Sequence, residues 1–184
     1  MNASSTKSAT IFDAELWVRE NLREALSLKP ETLQAVAGFA LLWNLFEGRV
    51  CKNHANVGAF HRITQNLQSS PKLEELVNES ISFYRSRYVD GQEMKTIFFR
   101  LNFRCNDRRD HVESVLKGEV DKFGDKVLAL LIIAYRIRNN VFHGLKSASI
   151  WDDQAKNISE ASRVLSLIIE AKGDYIFEKL GRVR

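Results

Sequence analysis

The sequence predicts an all-α fold, built as a single compact helical bundle. Three observations predict it. Apolar residues recur three and four apart along most of the chain, the period of an amphipathic helix. No two neighbouring stretches alternate with a period of two, as paired strands do. The 184 residues contain only 2 prolines, Pro30 and Pro71, and both stand where a helix would begin. About five to eight helices with short connections make one bundle.

The elements follow in order. Residues 1–10 are rich in Ser, Thr and Ala and read as a disordered N-terminus. Residues 11–184 read as one helical domain. Asp13 can cap a helix carrying Leu16, Val18, Leu22 and Leu26. Pro30 opens a second helix, with Glu31 suited to its positive end. That helix is apolar nearly all round, from Leu33 through Trp43 to Phe46, so burial on several sides is expected. Gly48 ends or bends it. A weaker helix covers Ala59–Leu67. Ser70-Pro71 starts another, with Leu73, Leu76, Val77, Ile81 and Tyr84 on one face, and Asp90-Gly91 marks a turn. Residues 93–105 are aromatic enough for a strand but lack a partner, so helix is the expectation there. A short helix over Asp107–Lys117 precedes the longest apolar run, which Asp125 introduces and Gly144 ends. Trp151-Asp152-Asp153 leads into the last helix, through Ile158, Ala161, Val164, Leu165, Ile168 and Ile169.

Composition excludes several classes. Hydrophobic residues are 45% and charged ones 27%, the balance of an ordinary globular domain. No apolar run reaches the length of a membrane span. The first ten residues lack the apolar core of a signal peptide, so a cytoplasmic setting is expected, with Cys51 and Cys105 as free thiols. Two cysteines build neither a disulfide scaffold nor a cysteine-rich zinc site. No Gly-rich phosphate loop, HExxH pair or Ser/His/Asp order occurs, so neither a metal nor a cofactor is implied. A net charge of +4 permits an anionic partner without requiring one. The basic end Lys179–Arg184 reads as a solvated tail, and Arg100–Arg109 as an amphipathic element with Phe99 and Phe103 inward, the alternative being a stretch that holds phosphates and stacks bases.

Arg138 breaks the pattern. Val127, Leu131 and Ala134 define an apolar stripe, and four residues further on comes a guanidinium. A charge on such a stripe needs either an ionic partner or a wet cleft. Asn139 and Asn140 follow, both poor residues for a helix interior, and then His143 in the last turn. A helix end favours the imidazolium form. Histidine can move a proton, arginine can stabilise a phosphorane, and an amide can orient either, a set suited to phosphodiester chemistry. Residues five apart are rotated by about 140° on an ideal helix. Convergence therefore needs a distorted helix end or a second chain.

The run Tyr135-Arg136-Ile137-Arg138-Asn139-Asn140-Val141-Phe142-His143-Gly144 resembles the signature of the HEPN superfamily, an Arg and a His separated by four to six residues with a polar residue after the Arg. The bare spacing also occurs at Arg49–His54 and Arg104–His111. Context separates the third: an aliphatic helix before it, Asn after the Arg, Gly after the His, and one long helix still to come. The resemblance implies an all-α, HEPN-like domain acting as a homodimer in which two motifs meet. It implies a metal-independent endoribonuclease of the toxin–antitoxin or phage-defence type, with RNA as substrate and a cognate antitoxin or regulatory protein as a further partner. By the same resemblance, the 2′-hydroxyl attacks the adjacent phosphate. Arg138 then binds the phosphate, His143 acts as general acid or base, and Asn139 takes the polar position.

Glu47 closes the apolar run Phe39–Phe46, and Trp43-Asn44-Leu45-Phe46-Glu47 resembles the early helix of bacterial HEPN domains, where an acidic residue approaches the motif. It could pair with Arg138, hold His143, or face water at a helix end. Leu145 stands where some HEPN toxins carry a tyrosine that a partner nucleotidyltransferase modifies, so that form of control is not implied. A non-catalytic HEPN-like nucleotide- or partner-binding module is the alternative. A plainer one makes Arg138 half of a structural ion pair and His143 a helix cap.

Overall fold

The computed structural model describes residues 11–21, 28–142 and 154–172. Expectations for residues 1–10, His143, Gly144, Leu145, Trp151-Asp152-Asp153 and the basic C-terminal tail lie outside them. Among the described residues the chain is all-α, with eight α-helices and one two-stranded hairpin.

Helix α1 (Ala14–Asn21) is capped by Asp13, whose Oδ1 accepts from the Leu16 N–H at 2.9 Å. Helix α2 (Pro30–Leu45) begins at Pro30, then widens into a π-helical turn over Phe46–Val50. There the Cys51 N–H reaches back five residues to the Phe46 carbonyl at 3.1 Å. Gly48 sits within that turn, so the bend expected of it is one extra residue per turn rather than a break.

Asn56 and Ser70 cap α3 (Val57–Gln65) and α4 (Pro71–Tyr88) through side-chain oxygens. The chain then forms strands β1 (Val89–Asp90) and β2 (Glu93–Met94), antiparallel, with Val89 opposite Met94 and Asp90 opposite Glu93. Gly91 takes a φ of 58° in the turn between them, which a Cβ would disfavour. The helix expected over 93–105 is therefore corrected. It is a strand, one helical turn α5 (Thr96–Phe99), and a loop. Phe98, not Phe99, points inward; Phe99 is exposed and carries the Arg109 guanidinium 4.9 Å from its ring centroid.

Helix α6 (Arg109–Lys117) ends on Gly118 in the left-handed region, φ 85°. Helix α7 (Phe123–Phe142) is the axis of the fold. Every residue from Val127 to Ala134 is buried, and α8, α3, α4, α6 and α2 all pack on it. Helix α8 (Ala155–Ala171) packs most extensively on α2. The buried residues form one cluster, from Phe39 and Phe46 through Tyr84 and Leu116 to Ile168.

The all-round burial expected of α2 is not what the chain shows. Thr32, Phe39 and Trp43 are buried, whereas Ala37 is exposed and Leu41 is 63% exposed. The apolar character of its outer face thus has no cover within the described residues.

Candidate active site

Helix α7 leaves the core at its C-terminal end, and side chains there divide by face. Arg136 turns inward. It is buried, donates from Nε to the Leu101 carbonyl at 3.0 Å, and lies 3.1 Å from Asp107. Asp107 is itself buried and accepts from the Arg104 N–H at 2.7 Å. Burial pulls the Arg136 guanidinium below its usual range, and the Asp107 charge opposes that pull. This is the structural arginine of the helix, a role that the plainer reading of the sequence gives to Arg138.

Arg138 is two residues, or about 200°, further round. Tyr135, Arg138 and Phe142 form a stripe toward α2, and Arg138 is half-buried there. Its Cζ lies 5.8 Å from the Trp43 ring centroid and 5.6 Å from that of Phe142. Both distances are within cation–π range. Phe39 stacks on Phe142 at 6.4 Å, and Trp43 stacks on Tyr135 at 6.0 Å. The guanidinium is therefore braced by aromatic rings of two helices.

Asn139 is buried, and its Oδ1 accepts from Arg138 Nη1 at 3.2 Å. Asn140 does different work. Its amide donates to the Arg100 and Leu101 carbonyls at 3.1 and 3.3 Å, and its oxygen accepts from Asn102 at 3.3 Å. It pins the end of α7 to the loop after α5. The two adjacent amides thus fix the guanidinium and the helix end, respectively.

Glu47 lies on the π-helical turn, half-buried. Its Oε2 accepts from the Trp43 indole N–H at 2.8 Å. Trp43 therefore joins the two candidates: its edge binds the carboxylate and its ring faces the guanidinium. Of the roles open to Glu47, direct pairing with Arg138 is not found, since no N···O contact within 4.0 Å joins them, and a contact with His143 lies outside the described residues. Glu47 also helps raise the Cys51 thiol to about 12, second to burial.

The Arg138 Nε is buried and has no hydrogen-bond partner. No carboxylate among the described residues forms an ion pair with this side chain, whereas Arg136 has Asp107 and Arg163 has Glu79 and Glu160. His143 lies outside the described residues, so its distance to Arg138 is not part of this geometry.

The other two Arg–His spacings build no comparable site. His111 is bound through Nε2 to the Asp125 carbonyl at 3.2 Å, and His54 is exposed. Sequence reasoning missed Trp43 and Phe142, which it counted as core. The signal was present as two helical spacings of four, Trp43–Glu47 and Arg138–Phe142.

Among the described residues no three His, Cys, Asp or Glu side chains gather as metal ligands, and no helix is long and apolar enough to cross a membrane. Comparison with protein-family models, curated proteins and solved structures finds no match.

Proposed function

We propose that the protein is a metal-independent endoribonuclease of the toxin or phage-defence type, acting as a homodimer. The observation that carries this reading is the state of Arg138. Its guanidinium is positioned by Asn139, Trp43 and Phe142, yet among the described residues its charge is answered by no carboxylate and its Nε by no acceptor. A buried donor without a partner costs about 1–3 kcal/mol. A preorganised cation of this kind suits the charge that develops on phosphorus during in-line attack.

The chemistry follows from the residue types. The ribose 2′-oxygen forms a bond to the adjacent phosphorus while the bond to the 5′-oxygen breaks. His143 moves one proton, either taking it from the 2′-hydroxyl or giving it to the departing 5′-oxygen, and water exchanges the other. Arg138 balances the phosphorane charge. The products are a 2′,3′-cyclic phosphate and a 5′-hydroxyl. Phe142, 44% exposed beside the guanidinium, offers a ring on which a base can stack. One feature favours a second copy at this end of the fold: Arg138 sits on a half-buried ledge rather than in an enclosed cleft. Apposed ledges make a cleft.

The test is cleavage of total RNA by the purified protein in EDTA, with end-group analysis. Cyclic phosphate ends are expected. Arg138→Ala and His143→Ala should each reduce the rate by about 10²-fold or more. Cleavage that survives either substitution removes that residue from the mechanism, and cleavage abolished by EDTA requires another chemistry. Absence of any product alongside nucleotide-dependent stabilisation that Arg138→Ala removes supports the binding module instead.

A further inference from the structure

The π-helical turn, α3 and the end of α8 enclose a concavity of about 400 Å³ whose lining includes neither Arg138 nor Glu47. Four cations line it: Arg49, Lys52, Arg62 and Lys172. Among the described residues no carboxylate does. The whole chain carries a net charge of only +4, so this concentration of one sign is not a reflection of overall composition.

Several cations of the fold are matched by carboxylates; among the described residues these four are not. Arg109, Lys126, Arg136 and Arg163 each form an ion pair. Among the described residues Arg49, Lys52 and Arg62 form none, and Lys172 donates only to the Asn66 carbonyl, at 2.8 Å. Like charges gathered without counter-charges repel one another, a cost that a bound anion removes.

The backbone that presents them is also unusual. Arg49 lies in the π-helical turn, a distortion that recurs at functional sites. Lys52 and Asn53 follow with φ of 51° and 63°, two consecutive non-glycine residues in the left-handed region. Hydrogen bonds from Asn53 N–H to the Glu47 carbonyl at 2.9 Å and from His54 N–H to the Cys51 carbonyl at 3.0 Å hold this turn. Beneath the cations the floor is apolar, formed by Val50, Ile63 and Ile169.

We propose that this pocket binds a phosphate monoester carried on a flat, largely apolar body, as in a mononucleotide, with the phosphate among Arg49, Lys52 and Arg62. The volume falls within the range of small-ligand pockets. Guanidinium groups suit phosphate oxygens because their N–H donors fork to match them. The floor takes the ring. This site is separate from the Arg138 ledge and stands whether or not RNA is cleaved there.

Calorimetric titration of the full chain with AMP, adenosine and inorganic phosphate at constant ionic strength tests it. AMP is expected to bind, phosphate more weakly, and adenosine not measurably. Arg49→Gln and Arg62→Gln should each weaken AMP binding about ten-fold or more, the loss of one charge-assisted contact. Both side chains are exposed and have no ionic partner among the described residues, so the variants should fold as the parent does, which circular dichroism checks. Arg138→Ala should bind AMP unchanged. AMP binding that is absent, matched by adenosine, or indifferent to both glutamine variants overturns the proposal. Loss with Arg138→Ala alone would move the nucleotide to the other site.

Discussion

The Arg138 guanidinium and the Trp43 indole face each other, Cζ to ring centroid 5.8 Å, across the contact between α7 and α2. The same indole gives its N–H to Glu47. One side chain therefore positions both the cation and the carboxylate, which do not meet directly.

A double-mutant cycle measures that relationship. Trp43→Leu and Arg138→Met, alone and together, should show a coupling of about 0.5–1 kcal/mol, the range of a partly exposed cation–π contact. Trp43→Phe keeps a ring but loses the donor to Glu47, and should cost about 1 kcal/mol. Urea unfolding reads all four. A coupling of zero would mean that the ring is only a neighbour of the guanidinium.

Arg136 predicts the opposite behaviour from Arg138. Replacing it by Met leaves Asp107 buried without its counter-charge, and a broken buried pair costs about 3–5 kcal/mol. Removing Asp107 at the same time should recover much of that loss, because the remaining cost is then mainly the Arg104 N–H left without its acceptor. Arg138→Met should cost far less, since no buried carboxylate depends on it. Comparable losses at both positions would contradict the division of roles between the two arginines.

The division was not legible in the sequence, and the reason is geometric. Arg136 and Arg138 share one aliphatic helix and differ by a rotation of about 200°. Which of them meets a carboxylate depends on where the loop after α5 places Asp107, a contact spanning 29 residues of chain (136 − 107). Local signals fared better. Asp13, Pro30 and Ser70-Pro71 start helices as expected, because a cap acts within three residues of itself. The aliphatic run of α7 announced its own burial. The π-helical turn did not, since Phe46–Val50 has no residue that an ordinary helix would reject apart from Gly48. The hairpin was hidden by its length. Two residues per strand cannot display a period. Glu47 was legible as a candidate, but its link to Arg138 runs through Trp43, which apolar patterning had placed in the core.

His111 gives a pH dependence with a definite sign. Burial holds its pKa below the ordinary 6.5, with the Asp125 carbonyl acting against that shift. In the window between the lowered folded value and 6.5 the unfolded chain binds more protons than the folded one. Stability therefore rises with pH through that window and falls on acidification below 6.5. His111→Gln, which can still donate to the Asp125 carbonyl, should flatten this part of the curve. Unfolding free energies taken from pH 5 to 8 provide the measurement. An unchanged slope in the variant would assign the effect to another group.

The two thiols should differ sharply. Cys105 is exposed, while Cys51 is buried at the floor of the basic concavity with its pKa pushed up to about 12 by burial and by Glu47. Since the thiolate is the reactive form, Ellman's reagent at pH 8 should modify Cys105 promptly and Cys51 only on unfolding. The same shift has a consequence in alkali. Between the ordinary value of 9.0 and about 12 the unfolded chain releases a proton that the folded chain retains, so stability falls as pH rises across that range. Cys51→Ala removes the titrating group and should lessen the alkaline loss, at the cost of a small cavity beside Glu47. Glu47→Gln tests the cause rather than the site. Burial remains and the carboxylate charge goes, so Cys51 should react somewhat faster yet stay slower than Cys105. Equal rates in that variant would mean that the carboxylate, and not burial, governs the thiol.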